Sequence, residues 1–448
     1  MNGLAEPHPL PISRSREVVP LLREGCLTAL FVAMAFSISA TQILLALLVV
    51  LGVPWGAAAH ALGAGAGLGG AARALWAASA ELRRHPLSRP FACFAALTLL
   101  SALSSGDPLW SLWIARTLVR ITIFYVLLAW TRDSAHAFRL WQGFLAVLTA
   151  MACYGLAQAW ICGARTSILP ESWAADICLQ PTRVRGPFSI YMTFGGVLLI
   201  GALFVLAYLA NVSWAHVSWP GAWWMVAAGA TTIAALAFTY SRNAWLGLLA
   251  GLLGLTLTAR RLGRTVLVLL AVGLLLAAVA PRTVLERARS TVDFQDKTIR
   301  DRVAMWRSGL AMVADHPLLG VGPGEVRAWY AQYRRPEAVR PSTGHLHNSA
   351  VQIAAERGLP ALAVWIWIWV TFFGEGVRIL HRLERGPSRA RALVCASLVG
   401  VAGFLVAGLF EHNFGDGEVV LLVYALMALP FVVEREQTVA LAKARLTG

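Results

Sequence analysis

Two groups of residues in this chain carry side chains suited to chemistry, and together they point to proton transfer and anion binding. His345 and His347 stand two apart in His345-Leu346-His347-Asn348-Ser349. Imidazole is the side chain that gains and loses a proton near neutral pH. An H-x-H pair also suggests a metal, but no HExxH follows and no carboxylate stands close by in sequence, so no metal is expected. Glu411-His412-Asn413 and Asp416 read as gating or packing groups at the end of an apolar stretch. The second group is arginine. Arg116 and Arg120 lie one turn apart inside an apolar run, Arg185 sits in Arg183-Val184-Arg185-Gly186-Pro187, and Arg242 in Tyr240-Ser241-Arg242-Asn243. A planar guanidinium holds phosphate through two parallel hydrogen bonds. Charges placed within a membrane cost several kcal/mol unless paired or solvated, which makes them functional candidates. Arg185, Arg242, Arg116 and Arg120 are expected to line one outward-facing cavity whose ligand is a lipid-linked phosphate or pyrophosphate. The competing reading is that Arg183 and Arg242 only snorkel to headgroups.

The elements that position these residues are membrane spans. Of 448 residues 58% are hydrophobic and 14% charged, well under the roughly 25% charged of a soluble domain. Runs of about 20 apolar residues recur, at about 24–37, 40–54, 88–105, 109–130, 137–161, 188–210, 221–240, 243–259, 265–281, 359–379, 390–410 and 418–433. The fold class is therefore all-α, a polytopic membrane protein of about 12 transmembrane helices. Residues 1–23 are polar and rich in Pro and Arg, so no cleavable signal peptide is expected. With the N-terminus in the cytoplasm, the short inward loops hold Arg73, Arg83, Arg84 and Arg89, then Arg132 and Arg139, then Arg260, Arg261 and Arg264, and last Arg378, Arg382, Arg385, Arg389 and Arg391. The short outward loops near Gly106 and Asn413 hold no Lys or Arg, as the positive-inside rule requires. Two long segments, 162–187 and 282–357, then face outward. Three parts follow: an N-terminal bundle, 1–281, of about nine helices; a large outer loop, 282–357; and a C-terminal group of about three helices, 358–448.

The 282–357 loop has its own helical signal. Ile299, Val303, Trp306, Leu310 and Val313 recur at spacings of three and four, which predicts an amphipathic helix over 299–314 buried on that stripe. The helix should stop at Asp315-His316-Pro317. Gly320-Val321-Gly322-Pro323-Gly324 predicts a tight turn, and 324–333 a second short helix.

The remaining composition narrows the class. The net charge is +15, almost all from arginine, with Lys297 and Lys443 the only lysines. Either anion binding or a GC-rich genome accounts for that bias. The basic residues are scattered among spans, which argues against nucleic acid as a partner. There is no CxxC among six cysteines, so no zinc or redox module is indicated. Cys162 and Cys178 flank the first outward segment and form either a disulfide or two thiols. No Walker motif occurs, and no internal repeat supports a transporter.

Several stretches resemble the O-antigen ligase and polymerase family of bacterial envelope glycosyltransferases. Phe238-Thr239-Tyr240-Ser241-Arg242-Asn243-Ala244-Trp245 is similar to that family's SRxxW/G segment. Arg302-Val303-Ala304-Met305-Trp306, followed by Asp315-His316-Pro317-Leu318-Leu319-Gly320-Val321-Gly322-Pro323-Gly324, resembles its loop signature. His347-Asn348-Ser349 followed by Glu356-Arg357-Gly358 fits its H-N-x9-G motif, with Ala361 departing from the usual residue three positions on. The resemblance implies a GT-C-like, metal-independent, inverting glycosyl transfer needing no cofactor. The donor would be a glycan on undecaprenyl pyrophosphate and the acceptor a sugar hydroxyl of the lipid A core. The site would face the periplasm from the bacterial inner membrane, among membrane lipids. His347, Arg242 and Arg185 would then be catalytic, and Arg116, Arg120, Arg183, His345, Asn348, Arg302 and His316 would bind substrate. Three other readings stay open: a polymerase with a lipid-linked acceptor, a protein O-oligosaccharyltransferase, and a lipid or polysaccharide transporter.

Overall fold

The computed structural model describes residues 12–52, 79–163, 183–212, 219–258, 297–384 and 386–447, with isolated residues such as Cys178 between them. The described residues are helical, without strands. In chain order the helices are α1 (Ile12–Ala33), α2 (Ile38–Gly52), α3 (Ala80–Arg84), α4 (Ser88–Leu103), α5 (Pro108–Ala115), α6 (Thr122–Trp130), α7 (Ser134–Gly163), α8 (Tyr191–Asn211), α9 (Trp219–Phe238), α10 (Arg242–Thr258), α11 (Lys297–Asp315), α12 (Val326–Tyr333), α13 (Ser349–Arg382), α14 (Arg389–Gly408) and α15 (Gly417–Thr447). Among the described residues six spans are long and apolar enough to cross a membrane, and three shorter apolar helices accompany them. The chain is thus an all-α, integral membrane protein. The expected 265–281 span lies outside the described residues.

The bundle is built around α8. Almost every side chain on it is buried, which is the pattern of a helix surrounded by others, and α14, α9, α10 and α15 all pack on it. Helices α10 and α14 approach closely because both carry glycine at the crossing: a Cβ on Gly247 would lie 2.6 Å from the carbonyl oxygen of Gly403.

Two elements differ from expectation in ways that matter for the site. The 109–130 span is not one α-helix. Asp107 caps α5, accepting a hydrogen bond from the Trp110 N–H with Pro108 in the first turn, and a 3-10 segment, Arg116–Ile121, then joins α5 to α6. Arg116 and Arg120 both sit in this tighter segment, the kind of mid-helix irregularity that often marks a functional position. The loop helix, α11, forms where the periodicity placed it, but its buried face is different. Ala304, Met305, Ser308, Gly309 and Met312 are buried, whereas Leu310, from the expected stripe, is 57% exposed. Small residues decide this. A Cβ on Gly309 would come within 2.5 Å of Leu346 and 2.7 Å of Val351, so α11 seats closely on the start of α13 through a face that hydropathy ranks low. Met305, Met312, Val321, Val326, Tyr330 and Leu346 complete a second small core there.

The glycine-rich motif straps this loop onto α13. Val321 N–H donates to Ala355 O and Gly322 N–H to Glu356 O, each at 2.9 Å, and Leu359 N–H donates to Pro317 O at 2.8 Å. The strap fits because α13 breaks at Gly358, with φ 82° and ψ 171°, a region of backbone space essentially reserved for glycine. A Cβ there would sit 2.1 Å from the Leu318 carbonyl oxygen. Gly358→Ala should therefore destabilise the protein by at least about 1–3 kcal/mol from backbone strain alone. The thermal midpoint of the detergent-solubilised variant measures this; an unchanged midpoint would show that the break is not required.

Cys162, at the end of α7, is disulfide-bonded to Cys178, with Cα atoms 5.6 Å apart. Closing a loop of about 15 residues contributes about 3 kcal/mol through the unfolded state. Denatured, unreduced protein should accept four thiol labels, on Cys26, Cys93, Cys153 and Cys395, and six after reduction. Six before reduction would disprove the bond.

Candidate active site

The site forms where four separated segments meet at the end of the bundle that carries the disulfide. The first is the turn entering α13. Asn348 caps that helix, accepting from Val351 N–H at 3.0 Å and donating through Nδ2 to Leu409 O at 2.9 Å. The cap is worth about 1 kcal/mol, and it fixes His347 beside the α14–α15 connection. There Glu411 lies buried, with His347 Nδ1 at 2.9 Å from both of its carboxylate oxygens. In the neutral imidazole, Nδ1–H donates to Glu411, and Nε2 is the remaining acceptor.

Two further groups approach Glu411. Arg302 Nη2, from α11, is 3.3 Å from Oε2, and His345 Nδ1 is 3.5 Å from Oε1. Burial pushes the Glu411 carboxyl up, but the His347 hydrogen bond and the positive field that includes Arg302 outweigh it and hold the group well below the usual carboxylate range. Burial lowers His345 to about 4 and His412 to about 3, so both are neutral at physiological pH. His345, His347 and Glu411 also bring three ligand atoms within 4.8 Å of one another and could converge on a divalent ion. In the arrangement observed, however, Glu411 Oε2 already faces a guanidinium and His347 Nδ1 already faces the carboxylate.

Two cavities adjoin this cluster, the smaller at His347 and the larger at His345 and Glu411. The smaller, about 130 Å³, is lined by Arg183, Arg242, Arg302 and Arg340, with His347, Tyr191, Tyr240 and Asp301. Arg242 is itself buried, and Arg183 lies over the Tyr191 ring at 4.5 Å. Tyr240 and His347 are the two non-glycine residues with positive φ among the described residues, at 52° and 51°. Backbone strain of this kind, of order 1–3 kcal/mol, persists where surrounding structure enforces it and clusters at functional sites. The larger cavity, about 620 Å³, is lined by Arg116, Arg120 and Arg357, by Glu411, His345 and His412, and by Asp416 and several aromatic rings.

The four arginines expected in one cavity are therefore divided. Arg242 lines the smaller cavity, and Arg116 and Arg120 line the larger. Arg185 lines neither of these cavities: its Nη1 donates to Phe188 O at 3.3 Å, and its backbone N–H to Gln158. The outer-mouth segment is held by these bonds, and Arg183 is the member that reaches the cavity. His316 is also outside both; it stands edge-on to Trp329, ring centroids 5.0 Å apart. Arg302, His345 and Asn348 are brought together with His347.

Three residues were missed. Glu411 was read as gating or packing because it is 64 residues from His347. Arg340 was left in a loop described only as extended and basic; Asp301 fixes that loop, accepting from the N–H groups of Val339 and Arg340. Arg357, in the motif before Gly358, was not nominated, yet it lines the larger cavity and donates to Glu356 at 2.6 Å. The basic run Arg334–Arg340 and the Glu356-Arg357 pair were the signals available.

No curated protein matches the chain significantly. Residues 226–366 match the family model for O-antigen ligase. That match takes in Arg242, Arg302, the glycine-rich strap, His347 and Gly358, which are the residues that build and position the smaller cavity. Over those residues the chain is similar to the O-antigen ligase family.

Proposed function

We propose that this protein is an O-antigen ligase, a glycosyltransferase that moves a glycan en bloc from undecaprenyl pyrophosphate to a sugar hydroxyl of the lipid A core. In this reading it works at the periplasmic face of the inner membrane, inverts the anomeric centre and uses no metal. Its bundle, 1–281 and 358–448, carries the 282–357 loop as a GT-C-like architecture. The observation that carries the reading is a buried histidine, His347, that is paired with the Glu411 carboxylate and stands in the wall of a four-arginine cavity.

The chemistry follows from that placement. As the glycosidic bond breaks, the leaving pyrophosphate gains negative charge. Fixed guanidinium groups of Arg242, Arg302, Arg183 and Arg340 in a small, partly dry cavity stabilise it without reorganising. His347 Nε2 takes the proton of the acceptor hydroxyl, and Glu411 stabilises the imidazolium that results. The activated donor supplies the driving force. The ligase is preferred over the polymerase because residues 226–366 are similar to O-antigen ligase.

A deletion strain decides between these acceptors. Core lacking glycan while polymeric donor accumulates supports the ligase. Core capped with a single repeat shows a polymerase instead, and unchanged envelope glycan defeats both.

A further inference from the structure

We propose that the larger cavity holds the sugar end of the acceptor, and that Asp416 is the residue that anchors an acceptor hydroxyl there; the inference rests on the glycosyl-transfer reading above. Charge separates the two cavities. The smaller sets four arginines against Asp301, and that carboxylate is already taken up by Val339, Arg340 N–H and the Arg340 side chain. It suits a pyrophosphate. The larger sets three arginines, Arg116, Arg120 and Arg357, against four acidic residues, Glu356, Glu411, Asp416 and Glu418, so it has no positive excess and an anion gains little. Its volume, about 620 Å³, falls in the ordinary range for a small-ligand site. The lining alternates rings, Phe94, Phe188, Phe404 and Tyr424, with carboxylates and amides. Such a surface offers apolar faces to sugar C–H groups and acceptors to sugar hydroxyls.

The geometry of the reaction assigns the occupant. Inversion requires the acceptor oxygen to attack from the face opposite the leaving pyrophosphate. With the pyrophosphate in the smaller cavity, whose wall includes His347, the acceptor is assigned to the larger cavity, which adjoins it at Met192 and Asn243.

Within that cavity two carboxylates are committed. Glu356 accepts from Gly324 N–H, Gln352 and Arg357, and Glu411 from the histidine–arginine cluster. Asp416 is less fully committed. Its Oδ2 accepts from Thr193 Oγ1 at 2.6 Å; the Glu418 carboxyl and the Val419 N–H lie close to the group, but no hydrogen bond of good geometry reaches its buried Oδ1. Burial and the neighbouring Glu418 carboxylate raise Asp416 to about 7. An unmet buried acceptor is costly, and a hydroxyl donor relieves it where a second anion would not.

The test uses full-length protein in lipid nanodiscs, with equilibrium binding of fluorescent lipid A carrying core sugars and of the same lipid A without them. Losing this hydrogen bond and leaving the buried sugar hydroxyl unpaired should weaken binding about 10–100-fold. Asp416→Ala should show that loss for the sugar-bearing lipid alone, and Asp416→Asn, which keeps a carbonyl acceptor, a smaller one. In transfer assays the acceptor KM should rise, with kcat and the donor KM within a few-fold of wild type. Equal weakening for both lipids, or unchanged binding in the alanine variant, overturns the assignment. So does a fall in kcat at unchanged KM. If Asp416→Ala is unstable, Asp416→Asn, which preserves shape, carries the comparison. Wild-type protein that binds the sugar-bearing lipid through Asp416 but transfers nothing would refute the glycosyl-transfer reading and leave the sugar site standing.

Discussion

Replacing His347 with asparagine should lower glycan transfer by about 10²–10⁴-fold, the usual worth of a positioned general base, while the protein still folds and inserts. Asparagine is the informative choice. His347 holds φ at 51°, a conformation asparagine tolerates better than most residues, so the backbone turn survives while the proton acceptor is lost. Glu411→Gln should be almost as damaging. In the Ser-His-Asp enzymes, the corresponding acid-to-amide change costs about 10⁴-fold, because the imidazole adopts the wrong tautomer and its charged form loses its counter-ion. The double variant should be no worse than the single one, since the two residues act as a unit. Additive losses would show that Glu411 works through something other than His347. The pH behaviour gives a second check. Glu411 is held well below the ordinary carboxylate range, so its stabilising charge is fully present above that range and is lost only as pH falls through its own depressed value. The effect of Glu411→Gln on the thermal midpoint should therefore be constant between about pH 6 and 8. An effect that grows steadily across that interval would contradict the depressed value.

Arg242→Ala should reduce kcat by about 10²–10³-fold, as removal of one preorganised charge-stabilising group does elsewhere, with a smaller change in donor KM. Arg242→Lys should recover little. Lysine restores the charge but not the planar fork, and a compact ammonium is more strongly hydrated. Wild-type turnover in the lysine variant would mean that the cavity needs only a positive field. Arg242 is a cleaner probe than Arg302, whose guanidinium also faces Glu411 at 3.3 Å. Removing Arg302 would strip a partner from a buried carboxylate and mix stability with catalysis. A competition assay with inorganic pyrophosphate separates the two roles of Arg242: if it binds the leaving group, the alanine variant should lose pyrophosphate inhibition in parallel with activity.

How far the chain could be read without a structure varied with the range of the interactions involved. Helices α7, α8, α14 and the loop helix α11 fell close to their expected limits, since each depends on local periodicity and caps. The cysteine pair was foreseen as an open alternative and is bonded. The buried face of α11 was misread, because Gly309 and Ser308 pack closely against Leu346 and Val351 for reasons of size that hydropathy does not register. The single arginine cavity was misread for a different reason. Arg185 and Arg183 differ by two residues, yet only Arg183 lines the smaller cavity, since hydrogen bonds to Gln158 and Phe188 set the path of the intervening backbone.

By itself the sequence determined the membrane class and the helical loop, and it supplied the residue types proposed for the site: arginines for an anionic group and a histidine for a proton. These follow from short-range rules of apolar length, charge placement and periodicity. Only the tertiary structure decided which of them meet. Glu411 reaches His347 from 64 residues away, Arg340 joins Arg242 across a loop folded on Asp301, and Arg116 and Arg120 go to the other cavity. A buried imidazole–carboxylate contact at 2.9 Å is set by how helices pack, and nothing in the spacing of residues along a chain encodes that distance.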